Sequence, residues 1–214
     1  MKNISVLLFL LITLALNAQN NKTSGLNARQ FHKYWKVESE SPDYKVTFLG
    51  DTVEILSPKG LTLWRKEKMS GKVTIEYDAC VVVEVEGDRL SDLNCFWMAS
   101  DPQYPDNIWK REKWRSGIFL NCYSLQLYYM GYGGNHNSTT RFRRYDGNEA
   151  AITNAKARPA ILKEYTDADH LLEANKWYHI KITNENNRVS YYINGVRLVD
   201  FRDADPLTEE IGRA

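Results

Sequence analysis

Past the polar stretch 20–25, the chain breaks into short runs rich in Val, Ile, Tyr and Phe, separated by clusters of Gly, Pro, Asn and Asp. That punctuation is the mark of antiparallel β structure. Strands are expected at 44–49, 52–56, 61–65, 72–86, 93–99, 118–130, 139–144, 177–183, 188–193 and 196–201, and only 167–174 offers a short helix. One hairpin is legible almost by residue. Asn194-Gly195 supplies the two positive-φ positions of a type I′ turn, which sets Ile193 opposite Val196 and Tyr191 opposite Leu198. Val189, Tyr191 and Ile193 then share a core face with Val196 and Leu198. In the strand before it, Tyr178, Ile180 and Ile182 point inward while Trp177, His179 and Lys181 point outward.

The N-terminus has a different character. Lys2, an apolar run from Val6 to Leu16 and a small-residue end at Asn17-Ala18 have the three-part layout of a secretory signal, with cleavage near Ala18. The alternative, a buried N-terminal strand, is disfavoured because nothing in the run alternates. The run is shorter than the ~20 residues a bilayer span needs, and no later segment is apolar enough, so no membrane span is expected after signal removal. The expected organisation is a signal at 1–18, a leader at 19–30 and a single domain at 31–214, exported to the periplasm or beyond. The chain carries 28 basic and 27 acidic residues; without Lys2 the balance is even, which argues against nucleic acid as a partner. Cys80, Cys95 and Cys122 match no zinc spacing, and as an odd set they cannot all pair; buried small hydrophobes are the favoured role, with one disulfide left open. No metal ligands are assigned, and calcium stays open through carboxylates and backbone oxygens that sequence rarely exposes.

Two resemblances add to this. Asn175-Lys-Trp-Tyr-His-Ile-Lys-Ile, Arg188-Val-Ser-Tyr-Tyr-Ile-Asn-Gly, Val199-Asp-Phe and Asp203-Ala-Asp-Pro resemble the C-terminal signature of laminin-G-like and concanavalin A-like carbohydrate-active domains. The resemblance implies an all-β jelly-roll sandwich. In those families one more strand follows to close a sheet; here the chain stops at Gly212-Arg-Ala, so an incomplete last strand and an unpaired edge are expected unless another segment fills the place. Phe96-Trp-Met-Ala-Ser-Asp-Pro, Leu127-Tyr-Tyr-Met-Gly-Tyr-Gly-Gly-Asn and Thr139-Thr-Arg-Phe-Arg-Arg-Tyr-Asp-Gly resemble secreted, largely uncharacterised concanavalin A-like lectin/glucanase proteins of Bacteroidetes that lie near genes for degrading pectin and rhamnose-uronate polysaccharides. That similarity implies a polysaccharide or oligosaccharide ligand and no particular reaction.

Three constellations carry candidate chemistry. In the first, Phe142 points into the core and alternation sends Arg141, Arg143 and Tyr145 to the other face, with the two arginines about 7 Å apart. Guanidinium forks grip planar carboxylates, so a uronic acid suits them; the plain alternative is a solvated face paired with Asp or Glu. In the second, Leu125 and Leu127 point inward and Gln126 and Tyr128 line a concave side, beside a glycine-rich loop carrying Asn135 and His136. The plain alternatives are sheet packing for Tyr128 and Tyr129 and an idle loop histidine for His136. The third is Trp97, Asp101, Arg115 and the aromatic loop 103–114, which either walls a cleft or packs over the sheet edge.

These residues support a lyase acting by β-elimination on an acidic polysaccharide, with Arg141, Arg143 or Arg144 neutralising the uronate and Tyr128, Tyr129, Tyr145 or His136 moving protons. They equally support a non-catalytic carbohydrate-binding module using the same groove. A glycoside hydrolase with Asp or Glu catalysts ranks third, because the Glu-x-Asp-x-Glu strand of retaining jelly-roll glucanases is missing and Glu84-Val-Glu86 lacks the central Asp.

Overall fold

The computed structural model describes residues 6–11, 28–207 and 211–213. Fourteen strands are found among them: β1 (Val6–Leu11), β2 (Trp35–Ser39), β3 (Lys45–Leu49), β4 (Thr52–Ser57), β5 (Leu61–Lys68), β6 (Val73–Val82), β7 (Leu93–Ser100), β8 (Gln126–Gly133), β9 (Thr139–Asp146), β10 (Lys163–Tyr165), β11 (Trp177–Glu185), β12 (Arg188–Ile193), β13 (Val196–Arg202) and β14 (Ile211–Arg213). They form two seven-stranded sheets, ordered β13-β12-β11-β6-β1-β4-β3 and β10-β9-β8-β7-β14-β5-β2. This is the expected all-β jelly-roll sandwich.

Alternation builds the core between the sheets. The first sheet contributes Val53 and Ile55 from β4, Ile75, Tyr77, Ala79 and Val81 from β6, and Tyr178, Ile180 and Ile182 from β11. From the second come Cys95 and Trp97 on β7, Tyr128 and Met130 on β8, and Phe142 on β9. Trp97 lies at the centre, its ring 6.2 Å from Tyr191 of β12 in the first sheet and 5.8 Å from Tyr128 in its own. The first sheet's outer face is solvated and carries a cross-strand hydrogen bond between Asp78 and His179 and an ion pair between Glu76 and Lys181.

The second sheet is apolar on both faces. The 25 residues between β7 and β8 fold back as 3-10 turns at Ile108–Arg111 and Phe119–Ser124 and a one-turn helix at Glu112–Arg115. They cover a second cluster that includes Trp64, Phe96, Leu125, Leu127, Tyr129 and Tyr145. This corrects two expectations. Residues 119–124 are 3-10 helix rather than the start of a long strand, because Cys122 and Tyr123 bury against the outside of the sheet. Leu125 and Leu127 are core, but not the core that Phe142 fills.

The Asn194-Gly195 turn has φ of 50° and 81°, as type I′ requires. Ile193 faces Val196, and Tyr191 is fully buried. The register beyond the turn departs from the expected one: it shifts between Tyr192, opposite Arg197, and Tyr191, opposite Val199 rather than Leu198. A bulge at Leu198 lets both Leu198 and Val199 bury while Val196, expected in the core, stays exposed at the turn. A Cβ at Gly195 meets nothing within 4 Å, so Gly195→Val acts through backbone strain alone. It is expected to cost about 1–2 kcal/mol, read as a lowered thermal midpoint.

Both ends of the described chain lie inside sheets. β14 pairs with β5 and β7, and β1 pairs with β4 and β6, Leu8 standing between Ile55 and Val81. The open edge expected where the last strand would fall is not left: β14 stands between β7 and β5. β1 falls within the apolar run of the expected signal; its basic start at Lys2, the cleavage point near Ala18 and the polar leader 20–25 lie outside the described residues. Among the described residues no helix is long and apolar enough to cross a membrane.

Candidate functional site

β8 and β9 position most of the candidates, and their register decides which share a face. Arg141 stands opposite Gly131, Arg143 opposite Tyr129, and Tyr145 opposite Leu127, whereas Tyr128 stands opposite Arg144 and Gln126 opposite Asp146. Directly opposed residues of an antiparallel pair project to one side. Arg141, Arg143 and Tyr145 therefore share the outer face with Leu127 and Tyr129. The expected groove combining them with Gln126 and Tyr128 does not form, because those two belong to the inner face.

On the outer face, Tyr145 is fully buried in the second cluster, its ring 4.8 Å from Tyr123. Tyr129 lies along its own strand, so that a Cβ at Gly131 would run into its ring, and its hydroxyl donates to Asn94 Oδ1 at 3.0 Å. Arg141 and Arg143 stay half-buried at the open end of this face. Arg141 pairs with Glu164 of β10, and Arg143 donates to the Pro159 carbonyl. Among the described residues Arg143 has no carboxylate partner, so its charge is not neutralised locally.

The inner-face candidates are held by the fold. Tyr128 donates to Asp203 Oδ2 at 2.7 Å and accepts from the Leu207 amide at 3.2 Å. Arg144 donates from Nε to the same Asp203 oxygen at 2.7 Å and from a terminal nitrogen to the Asp205 carbonyl at 2.7 Å. These bonds seat the 203–207 segment against β8 and β9. Burial, then the bond to Asp203, pushes the Tyr128 phenol well above its ordinary range. Burial pushes Tyr129 up as well, with Asp92 adding to the shift and Arg143 and Arg141 opposing it. Neither phenol is prepared to give up a proton.

The β8–β9 turn carries Asn135 and His136, both exposed and both at positive φ. Asn137 ties this glycine-rich turn down: its side-chain amide donates to the Leu172 carbonyl at 2.9 Å and its Oδ1 accepts from the Leu172 amide at 2.8 Å. Trp97 is core. Asp101 is fully buried and holds Arg111 through two bonds of 2.7 and 2.8 Å. Arg115, also fully buried, pairs with Glu38 of β2. Sequence reasoning missed Asn94, Glu38, Arg111 and Glu164; only the polar Asn94 inside the apolar run Leu93-Asn-Cys-Phe gave a signal. The three cysteines are free and buried, and burial lifts Cys122 to about 12. Among the described residues no three His, Cys, Asp or Glu are grouped to hold a metal ion.

Comparison with known proteins follows the architecture. The model of a family described as a domain of unknown function (DUF6250) matches residues 55–211. A Bacillus subtilis protein of unknown function with a galectin-like fold aligns with a TM-score of 0.59 at 12% identity, covering 85% of this chain and 79% of its own. The carbohydrate-binding module CBM66 from Bacillus subtilis aligns with a TM-score of 0.50 at 15% identity, covering 83% of each chain. No curated protein matches.

Proposed function

From the premise that this chain belongs to the DUF6250 family, we propose that it is a carbohydrate-binding sandwich that holds an acidic glycan without cleaving it. The observation that carries the choice over β-elimination is the condition of the tyrosines. Tyr128 and Tyr129 are committed to hydrogen bonds, and burial raises the pKa of both and of Tyr145, whereas a general base must reach the substrate near its own pKa. The similarity in fold to a carbohydrate-binding module supports the same choice.

Arg143 is the proposed carboxylate contact. Of the three arginines in Thr139-Thr-Arg-Phe-Arg-Arg-Tyr, Arg141 answers Glu164 and Arg144 answers Asp203, while Arg143 meets a neutral carbonyl. A planar guanidinium with an unanswered charge suits a uronate. The test is retention in affinity gels containing oligogalacturonan-rich pectin or neutral glucan, run beside an ultraviolet assay for unsaturated uronate. Retention without absorbance growth is expected; growth of the signal would restore the lyase. Arg143→Met is expected to weaken acidic-glycan binding by about 1.5–3 kcal/mol, the size of a charged hydrogen bond, and to leave neutral glycans unchanged. Equal loss on both gels would remove the carboxylate contact.

A further inference from the structure

The segment between β7 and β8 does more than cover the second cluster. Arg111 is clamped from three sides: Asp101 takes Nε and one terminal nitrogen, Glu149 takes the other, and Gln103 donates to the same Glu149 oxygen at 2.8 Å. The guanidinium so fixed lies over two rings, 5.1 Å from the centre of Trp114 and 5.7 Å from that of Tyr104. Yet both rings remain open to solvent, Trp114 44% exposed and Tyr104 38%. Trp109, earlier in the same segment, is by contrast partly buried and packs against the second cluster.

A stacked guanidinium covers one face of each ring. The guanidinium occupies one side of each ring, which leaves the other side and the edges to account for the exposure, and it is itself held by a network whose anchor, Asp101, is fully buried. Rigid, amphipathic rings with one free face are efficient contacts because little side-chain freedom is lost on binding. Lys110 and Lys113 are exposed beside them, with the half-buried Glu149 and exposed Gln103 as hydrogen-bonding groups. A flat apolar face rimmed by polar groups matches the C–H face of a pyranose ring and its hydroxyls.

We propose that Trp114 and Tyr104, stacked on Arg111, form a second saccharide contact that takes the apolar face of a sugar ring whether or not the sugar is charged. Pro102 would be met by a Cβ at Gly147, just past the end of β9, so this contact sits at the far end of the strand that presents Arg141 and Arg143. It deepens the carbohydrate-binding function and rests on it, dividing the work: Arg143 selects for charge and the ring pair supplies charge-independent grip.

The test is retention of wild type, Trp114→Ala, Trp114→Tyr and Arg143→Met on gels of pectin and of neutral glucan, with thermal midpoints measured for each. Trp114→Ala is expected to lose roughly tenfold in affinity on both gels, Trp114→Tyr to keep most of it, and Arg143→Met to lose on pectin alone. The thermal midpoint of Trp114→Ala should stay close to wild type, since the ring is largely in solvent. If wild type is retained and Trp114→Ala binds equally well, the second contact is wrong while the carbohydrate-binding function stands. If wild type is retained on neither gel, both fall.

Discussion

Arg115→Met is expected to unfold at a much lower denaturant concentration than wild type, losing about 3–5 kcal/mol. The Arg115 guanidinium donates to the two Glu38 oxygens at 2.6 and 3.2 Å and to the Ile108 carbonyl at 2.8 Å, over the Trp64 ring. The pair joins the segment that caps the second sheet, which carries Arg115, to β2, which carries Glu38. Burial already pushes the Glu38 carboxyl above its ordinary range, and Arg115 is the main group holding it down. Remove the cation and a buried carboxylate is left without its counter-charge, a species the fold avoids by taking up a proton. The sign follows from linkage. With its pKa raised in the folded state, Glu38 binds a proton more tightly there than in the unfolded chain, so stability falls as pH rises from the ordinary glutamate pKa through the raised one. The variant should therefore recover towards wild type in acid and be weakest near neutrality, as urea titrations across that range would show. Glu38→Met with Arg115→Met should regain most of the loss. If Arg115→Met is as stable as wild type at neutral pH, the ion pair is not what holds the cap to β2.

Trp97→Ala is expected to cost about 3–5 kcal/mol, the usual range for a buried indole. The ring touches both sheets, with Phe142 at 6.0 Å completing the cage formed by Tyr128 and Tyr191, and its removal leaves a cavity that rigid neighbouring rings cannot easily fill. The same variant separates packing from ligand contact. Saccharide affinity per folded molecule, measured well below the unfolding midpoint, should be unchanged. A lost affinity with unchanged stability would instead return Trp97 to the ligand site proposed from sequence.

How much was legible depended on whether a strand has one wet face. On β11 it does: His179 and Lys181 meet Asp78 and Glu76 in solvent, so alternation labels Tyr178, Ile180 and Ile182 as inward, and the Asn-Gly turn fixes the hairpin as far as the register shift past Tyr192. On β8 it does not. Leu127 and Tyr128 are both fully buried, one outward and one inward. Parity then sorts the residues into two sets without saying which set meets the sandwich core. Arg141, Arg143 and Tyr145 could be put on one face for the same reason that their neighbours could not be named. A bulge at Met98, φ 54°, turns both Trp97 and Met98 to the core, and no local signal announces it. The partners that decide each candidate's role are remote in sequence: Glu38 is 77 residues from Arg115, and Asp203 is 75 from Tyr128. Composition and periodicity do not register such pairings.

β1 occupies an interior place in its sheet, and both flanking strands are encoded after it. Its backbone can be paired on both edges only once β4 and then β6 exist, and β6 ends at Val82, about 70 residues downstream. A ribosome adding ~5–20 residues per second needs roughly 4–14 s to supply that stretch. Until that stretch has been made the segment lacks at least one of its two partner strands. The segment made first is thus among the last of its sheet to have both edges paired.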